Sequence, residues 1–213
     1  MPTIPLGTLV VLLTLAAACS GREQAQPESA AATPAPLDTV VLETSKGRIV
    51  MELDRARAPV SVANFVRHVG AGFYDGLIFH RIAPDFVIQA GAVTEDLGER
   101  KSTVFPIENE AANGLKNLRG TVAMARQLDP HSATSEFFVN LKDNPKLDYT
   151  ASTAREWGYA VFGRVIEGLD VVDAIARAGS GPRGRFREFP KDPTLIRRAY
   201  RMASQPPPVQ VQE

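Results

Sequence analysis

FHRIAPDFVIQAG, residues 79–91, is the stretch on which the reading of the fold turns. Its apolar residues fall in short runs, at 77–82 and 86–89, separated by Pro84 and Asp85, the punctuation of strands rather than of a helix. Arg81 and Gln89 stand out as polar residues within those runs. Taken singly, these features are ordinary: an isolated arginine is most often a solvated charge, and Phe86 and Val87 are by default core residues.

Working outward, the segments 39–44 and 48–53 are short, β-branched and alternating around Ser45-Lys46-Gly47, a hairpin signature. Pro59 then opens a segment with Val62, Phe65, Val66 and Val69 at i, i+3, i+4 and i+7, ended by Gly70 and Gly72, which predicts one amphipathic helix. On the other side, strand-like runs lie at 121–125, 136–139 and 159–165. A second helix is expected at 169–178, with Leu169, Val172, Ile175 and Ala176 on one stripe, and 194–202 supplies a closing strand. Many strands with two helices predict a mainly β fold, a closed antiparallel barrel that leaves no sheet edge exposed. Alternation requires Phe137 and Phe138 to face opposite ways, one into the barrel and one outward.

The opening stretch is joined by GTVAMAR at 120–126, SATSEFFVN at 132–140 and WGYAVFGRV at 157–165. Together, in this order and at this spacing, they resemble the cyclophilin-type peptidyl-prolyl cis/trans isomerases from about residue 39 to 201. The stretches 109–121 and 129–134 are most similar to the compact, bacterial, periplasmic branch. The resemblance implies an eight-stranded barrel capped by two α-helices, with a substrate groove on its outer face and no cofactor. Ala90 and Ala92 stand where the family commonly has glycine, and Glu136 replaces the usual Gln before the Phe pair.

The chemistry implied is rotation about a bond, not cleavage. The barrier, about 18–20 kcal/mol, comes from the partial double-bond character of the amide C–N bond. A guanidinium aimed at the prolyl nitrogen favours a pyramidal nitrogen out of conjugation, while an apolar pocket holds the ring. Arginine suits this because it stays charged and presents fixed donors.

By the resemblance, Arg81, Phe86 and Gln89 form the catalytic set: Arg81 supplies the charge, Phe86 lines the proline pocket with Val87 and Phe138, and Gln89 orients Arg81 and binds substrate backbone. His80 joins the substrate-binding set, Ala125 and Arg126 match the segment that pairs with an extended peptide, and Trp157 and Tyr159 match the outer wall. A tryptophan there also implies contact with cyclic inhibitors of the cyclosporin type; the other reading of Trp157 is core packing. Glu136 places a carboxylate beside the groove, which either competes with the prolyl nitrogen for Arg81 or holds the guanidinium in place.

Composition sets the outer bounds. Of 213 residues 44% are hydrophobic, enough for one core, and 24 Lys plus Arg balance 24 Asp plus Glu, leaving no basic field for nucleic acid. Cys19 is the single cysteine, so no intramolecular disulfide and no cysteine-built metal site can form, and His68, His80 and His131 lack metal-motif spacing. The expected partners are proline-containing, unfolded or extended polypeptides, with the protein itself a monomer.

The chain divides into a signal peptide at 1–18, a flexible linker at 19–37, an isomerase domain at 38–204 and a disordered tail at 205–213. The apolar stretch 6–18 is too short to span roughly 30 Å of hydrocarbon. Ala16, Ala17 and Ala18 precede Cys19 as in a bacterial lipobox, in which the cysteine is acylated, although no Lys or Arg precedes the apolar core and Leu15 lies one place further from the cysteine than usual. An ordinary A-x-A cleavage site is the alternative; both predict export. With acylation, the expected location is the periplasm, anchored to the outer membrane through lipid at Cys19.

Overall fold

The computed structural model describes residues 38–202. The expected signal peptide, linker and tail, and Cys19, lie outside the described residues. The element order is β1 (Asp38–Thr44), β2 (Gly47–Leu53), α1 (Pro59–Gly70), β3 (Leu77–Ala83), β4 (Val87–Thr94), β5 (Thr121–Met124), β6 (Phe137–Asn140), β7 (Val161–Glu167), α2 (Leu169–Ala176), β8 (Ser180–Arg183), β9 (Phe186–Pro190) and β10 (Ile196–Arg201). Eight strands form one antiparallel sheet in the order β10-β1-β2-β7-β5-β6-β4-β3.

The outer strands β3 and β10 meet along a short seam. Ile78 bridges Leu195, Phe79 N–H donates to the Thr194 carbonyl at 3.0 Å, and Gly76 N–H donates to the Ile196 carbonyl at 2.8 Å. The barrel is thus nearly closed, as the strand pattern predicts. Its interior is filled by Val40, Leu42, Ile49, Met51, Phe79, Ile88, Phe137 and Phe162, all essentially fully buried. From α1, Phe65 packs tilted against Tyr74 and Phe162 and edge-on against Phe137 with ring centroids 5.1–5.2 Å apart, and α2 adds Val172 and Ile175. Each helix therefore buries one stripe against the barrel; on α2, which ends at Ala176, the stripe is Val172 and Ile175, and Leu169, expected on it, is exposed at the helix start.

α1 has no side-chain cap of its own. Its first amides are taken instead by Glu110, which accepts from Val60 N–H, Ser61 N–H and Ser61 Oγ at 2.7–2.9 Å and sets a negative charge at the positive end of the helix. The β8–β9 hairpin is a small separate sheet that the strand pattern does not predict. Phe186 and Phe189 dock it on Ile78, Ala92 and Val93.

Candidate active site

The position of Arg81 depends on a one-residue irregularity. Phe79 pairs with Ala90, yet Arg81 pairs with Gln89, so β3 spends two residues where β4 spends one. Such a β-bulge reverses the alternation of side chains. Phe79 points into the barrel, and without the bulge Arg81 would follow it; with the bulge, Arg81 reaches the outer face, where it lines the groove. The β3–β4 turn is equally local: Pro84 fixes its second position, Asp85 takes φ 53° at the third, and Phe86 N–H closes it on the Ala83 carbonyl at 3.1 Å.

Two rows then run across the sheet. Phe79, Ala90, Phe137 and Met124 are in register on β3, β4, β6 and β5 and fill the interior. Arg81, Gln89, Phe138 and Ala123 are in register on the same four strands and face outward. Phe137 is therefore the core member of the pair and Phe138 the groove member.

The groove encloses about 140 Å³, lined by Arg81, Phe86, Val87, Gln89, Ala125, Arg126, Phe138, Leu147 and Tyr159. Its volume suits a small ring. Phe138 meets Tyr159 edge-on at 5.6 Å. Leu147 escapes the sequence reading because it comes from a 3₁₀ turn, Pro145–Leu147, held by buried side-chain amides. Asn144 Nδ2 donates to the Phe86 carbonyl at 3.0 Å and to Asn140 Oδ1 at 2.8 Å, while Asn117 Nδ2 donates to the Leu147 carbonyl at 3.1 Å. Asparagines as scattered in sequence as Asn117, Asn140 and Asn144 carry no local signal that they will support a pocket.

Arg126 is committed to the wall. Its guanidinium donates to the carbonyls of Gly158 at 2.9 Å, Gln127 at 2.9 Å, Leu128 at 3.3 Å and Ala154 at 3.3 Å, and lies 4.7 Å from the Tyr159 ring centroid. Gly158 is required there, since at φ 70° a Cβ would come within 2.6 Å of the Asp148–Tyr149 backbone. Ala125 N–H is already taken by the Glu136 carbonyl at 2.9 Å.

Arg81 is half-buried and fixed at two atoms. Its Nε donates to Glu188 Oε2 at 2.7 Å and its Nη1 to Gln89 Oε1 at 3.3 Å, the orientation expected of Gln89; the Phe86 ring centroid lies 6.0 Å from Cζ. Gln89 Nε2 in turn donates to Glu136 Oε2 at 2.6 Å, and His80 Nε2 lies 3.4 Å from the same oxygen. Burial, the largest single influence, pushes the Glu136 carboxyl up, but the His80 hydrogen bond and charge, the Gln89 amide and Arg185 together hold it below its ordinary value.

Three expectations change. Glu136 neither competes for Arg81 nor holds it directly, because Glu188 occupies that place and Glu136 reaches Arg81 only through Gln89. His80 and Glu136 lie outside the proline-sized groove; they line a neighbouring cleft of about 520 Å³ with Arg81, Phe186 and Glu188. Trp157 does not line the groove either: it packs edge-on against His131 and Tyr149, and its indole N–H donates to the Asn109 carbonyl at 3.3 Å. Tyr159 and Arg126 form that wall instead.

The sequence model described as cyclophilin type peptidyl-prolyl cis-trans isomerase/CLD matches residues 39–201. A Streptomyces antibioticus peptidyl-prolyl cis-trans isomerase, cyp18, is 54% identical over 163 residues, 76% of this chain and 98% of its own. Peptidyl-prolyl cis-trans isomerase B of Escherichia coli is 43% identical over 157 residues, 74% of this chain and 95% of its own. A Cryptosporidium parvum cyclophilin-type isomerase crystallised in the presence of the dipeptide Ala-Pro superposes with a TM-score of 0.63 at 24% identity, covering 76% of this chain and 97% of its own. Barrel, outward row and sequence kinship agree: the chain belongs to the cyclophilin-type peptidyl-prolyl cis-trans isomerases and is an enzyme of that activity.

Proposed function

We propose that this isomerase acts on Xaa-Pro bonds of exported polypeptides, with Arg81 as its electrostatic catalyst. The observation that carries the assignment is the outward row, which sets one guanidinium at the edge of a ring-sized apolar pocket made by Phe86, Val87, Phe138, Leu147 and Tyr159. The pocket holds the prolyl ring, and an extended peptide pairs with the Ala125–Arg126 segment. Arg81, with one N–H anchored at Nε and one at Nη1, keeps its other N–H donors, those of Nη2 among them, for the prolyl nitrogen as that atom leaves conjugation. No bond breaks and no proton moves, so preorganised charge is the whole of the chemistry.

The test is the isomerisation rate of an Ala-Pro chromogenic peptide. Arg81→Ala should lower kcat/KM by about a hundredfold, about 2.7 kcal/mol, with the melting temperature nearly unchanged. A loss of less than about threefold removes Arg81 from the role.

Export, and lipid anchoring at Cys19 to the periplasmic face of the outer membrane, is supported by the apolar stretch and small residues that precede the lone cysteine. The wild-type chain should fractionate with membranes, and Cys19→Ser should release it into the soluble periplasm. A wild type found wholly soluble overturns the anchor.

A further inference from the structure

We infer that Glu188 is a positioning residue for the isomerase reaction, acting through Arg81; this rests on the assignment of Arg81 as catalyst. Glu188 lines the larger cleft and not the groove, so it stands on the side of Arg81 away from the prolyl ring. From there its carboxylate takes Nε at 2.7 Å while Gln89 takes Nη1 at 3.3 Å. Two acceptors on two different nitrogens fix both the direction and the plane of a guanidinium. The long Gln89 contact alone would leave the plane free to swing.

Glu188 is itself held from below. It follows Phe186 by two residues on β9, and side chains at i and i+2 share one face of a strand. Phe186 packs with Phe189 at 5.5 Å and both rest on Ile78, Ala92 and Val93 of β3 and β4. The docked hairpin therefore delivers a carboxylate to Arg81 from 107 residues away in sequence. The pair is half-exposed, so its worth lies in geometry more than in stability.

Positioning and charge masking have opposite signs, and two substitutions separate them. Glu188→Gln keeps an oxygen that accepts from Nε but removes the charge; it should hold kcat/KM within about threefold of wild type. Glu188→Ala removes the acceptor and should lower kcat/KM by about tenfold, in kcat rather than KM. Placed in Arg81→Ala, Glu188→Ala should cause no further loss, because the residue it positions is gone. A Glu188→Gln enzyme more than about threefold faster than wild type would show masking and overturn the inference. So would a Glu188→Ala loss below about twofold, or one that persists without Arg81. Arg81→Ala near wild type would strike the catalyst assignment itself, and with it this inference. Should Glu188→Ala fail to fold, hydrogen exchange at Arg81 Nε–H in the wild-type chain decides: slowed exchange supports the anchor, and exchange as fast as at exposed arginines overturns it.

Discussion

Glu136 is placed where a polar side chain has every donor in reach but the one that matters most. Gln89 and His80 both point at Oε2, and the net effect holds the carboxyl below its ordinary value despite burial. A lowered folded value means that Glu136 is ionised throughout the neutral range and does not titrate there. Glu136→Gln should thus change kcat/KM by less than about tenfold, with profiles parallel to wild type between about pH 5 and 8. A step in that window present only in wild type would show that the carboxylate titrates on the catalytic path. Arg81, Gln89 and Phe86 were legible from the sequence through the motif, and Phe138 through motif and alternation together, whereas alternation alone would have turned Arg81 inward. Glu188 and Leu147 were not, since each reaches the site by tertiary packing alone. For Trp157 the sequence left groove wall and core packing open, because a motif position gives no direction for a ring whose N–H finds a backbone carbonyl nearby.

Among the elements, α1 carries a second titratable device. His68 is buried, with Nδ1 on the Asn64 carbonyl at 2.8 Å and Nε2 on Ser102 Oγ at 2.9 Å. Burial lowers its affinity for a proton, more than the Asn64 carbonyl raises it, and Arg67 adds to the lowering. The unfolded chain then binds the proton more tightly than the folded one, so stability is full above about pH 6.5 and falls as the pH drops through that value toward the folded pKa. The melting temperature should decline more between about pH 7.5 and 5.5 in wild type than in His68→Gln. Equal slopes would mean that the ring is neutral or charged alike in both states. The helices and the β1–β2 hairpin were readable because their periodicities are local. The bulge at His80 was not, because it consists of a register against another strand. The β8–β9 hairpin was hidden by composition: SGPRGRFREFP has two prolines, two glycines and three arginines, poor strand formers whose pairing relies on Phe186 and Phe189.

At the scale of the whole molecule, β1 is completed only by β10, which pairs with it from Val40–Arg201 to Thr44–Ile196 and also seals the seam with β3. A fragment of residues 38–204 should melt cooperatively and keep kcat/KM within about twofold of the full chain, whereas one ending at 195 should not fold. A cooperative melt in the shorter fragment would show that the barrel closes without its last strand. The two ends of the barrel thus lie side by side: Arg201 contacts Asp38 at 2.5 Å, and Met202 N–H donates to the Thr39 carbonyl at 2.8 Å. Mechanically, this is the geometry of a zip fastener. Tension applied between residues 38 and 202 bears on the β1–β10 ladder one rung at a time, beginning at the Asp38 ion pairs, and not on all rungs in shear. The barrel should consequently yield at low force when pulled by its own termini, and resist far more when the same load is applied along a strand.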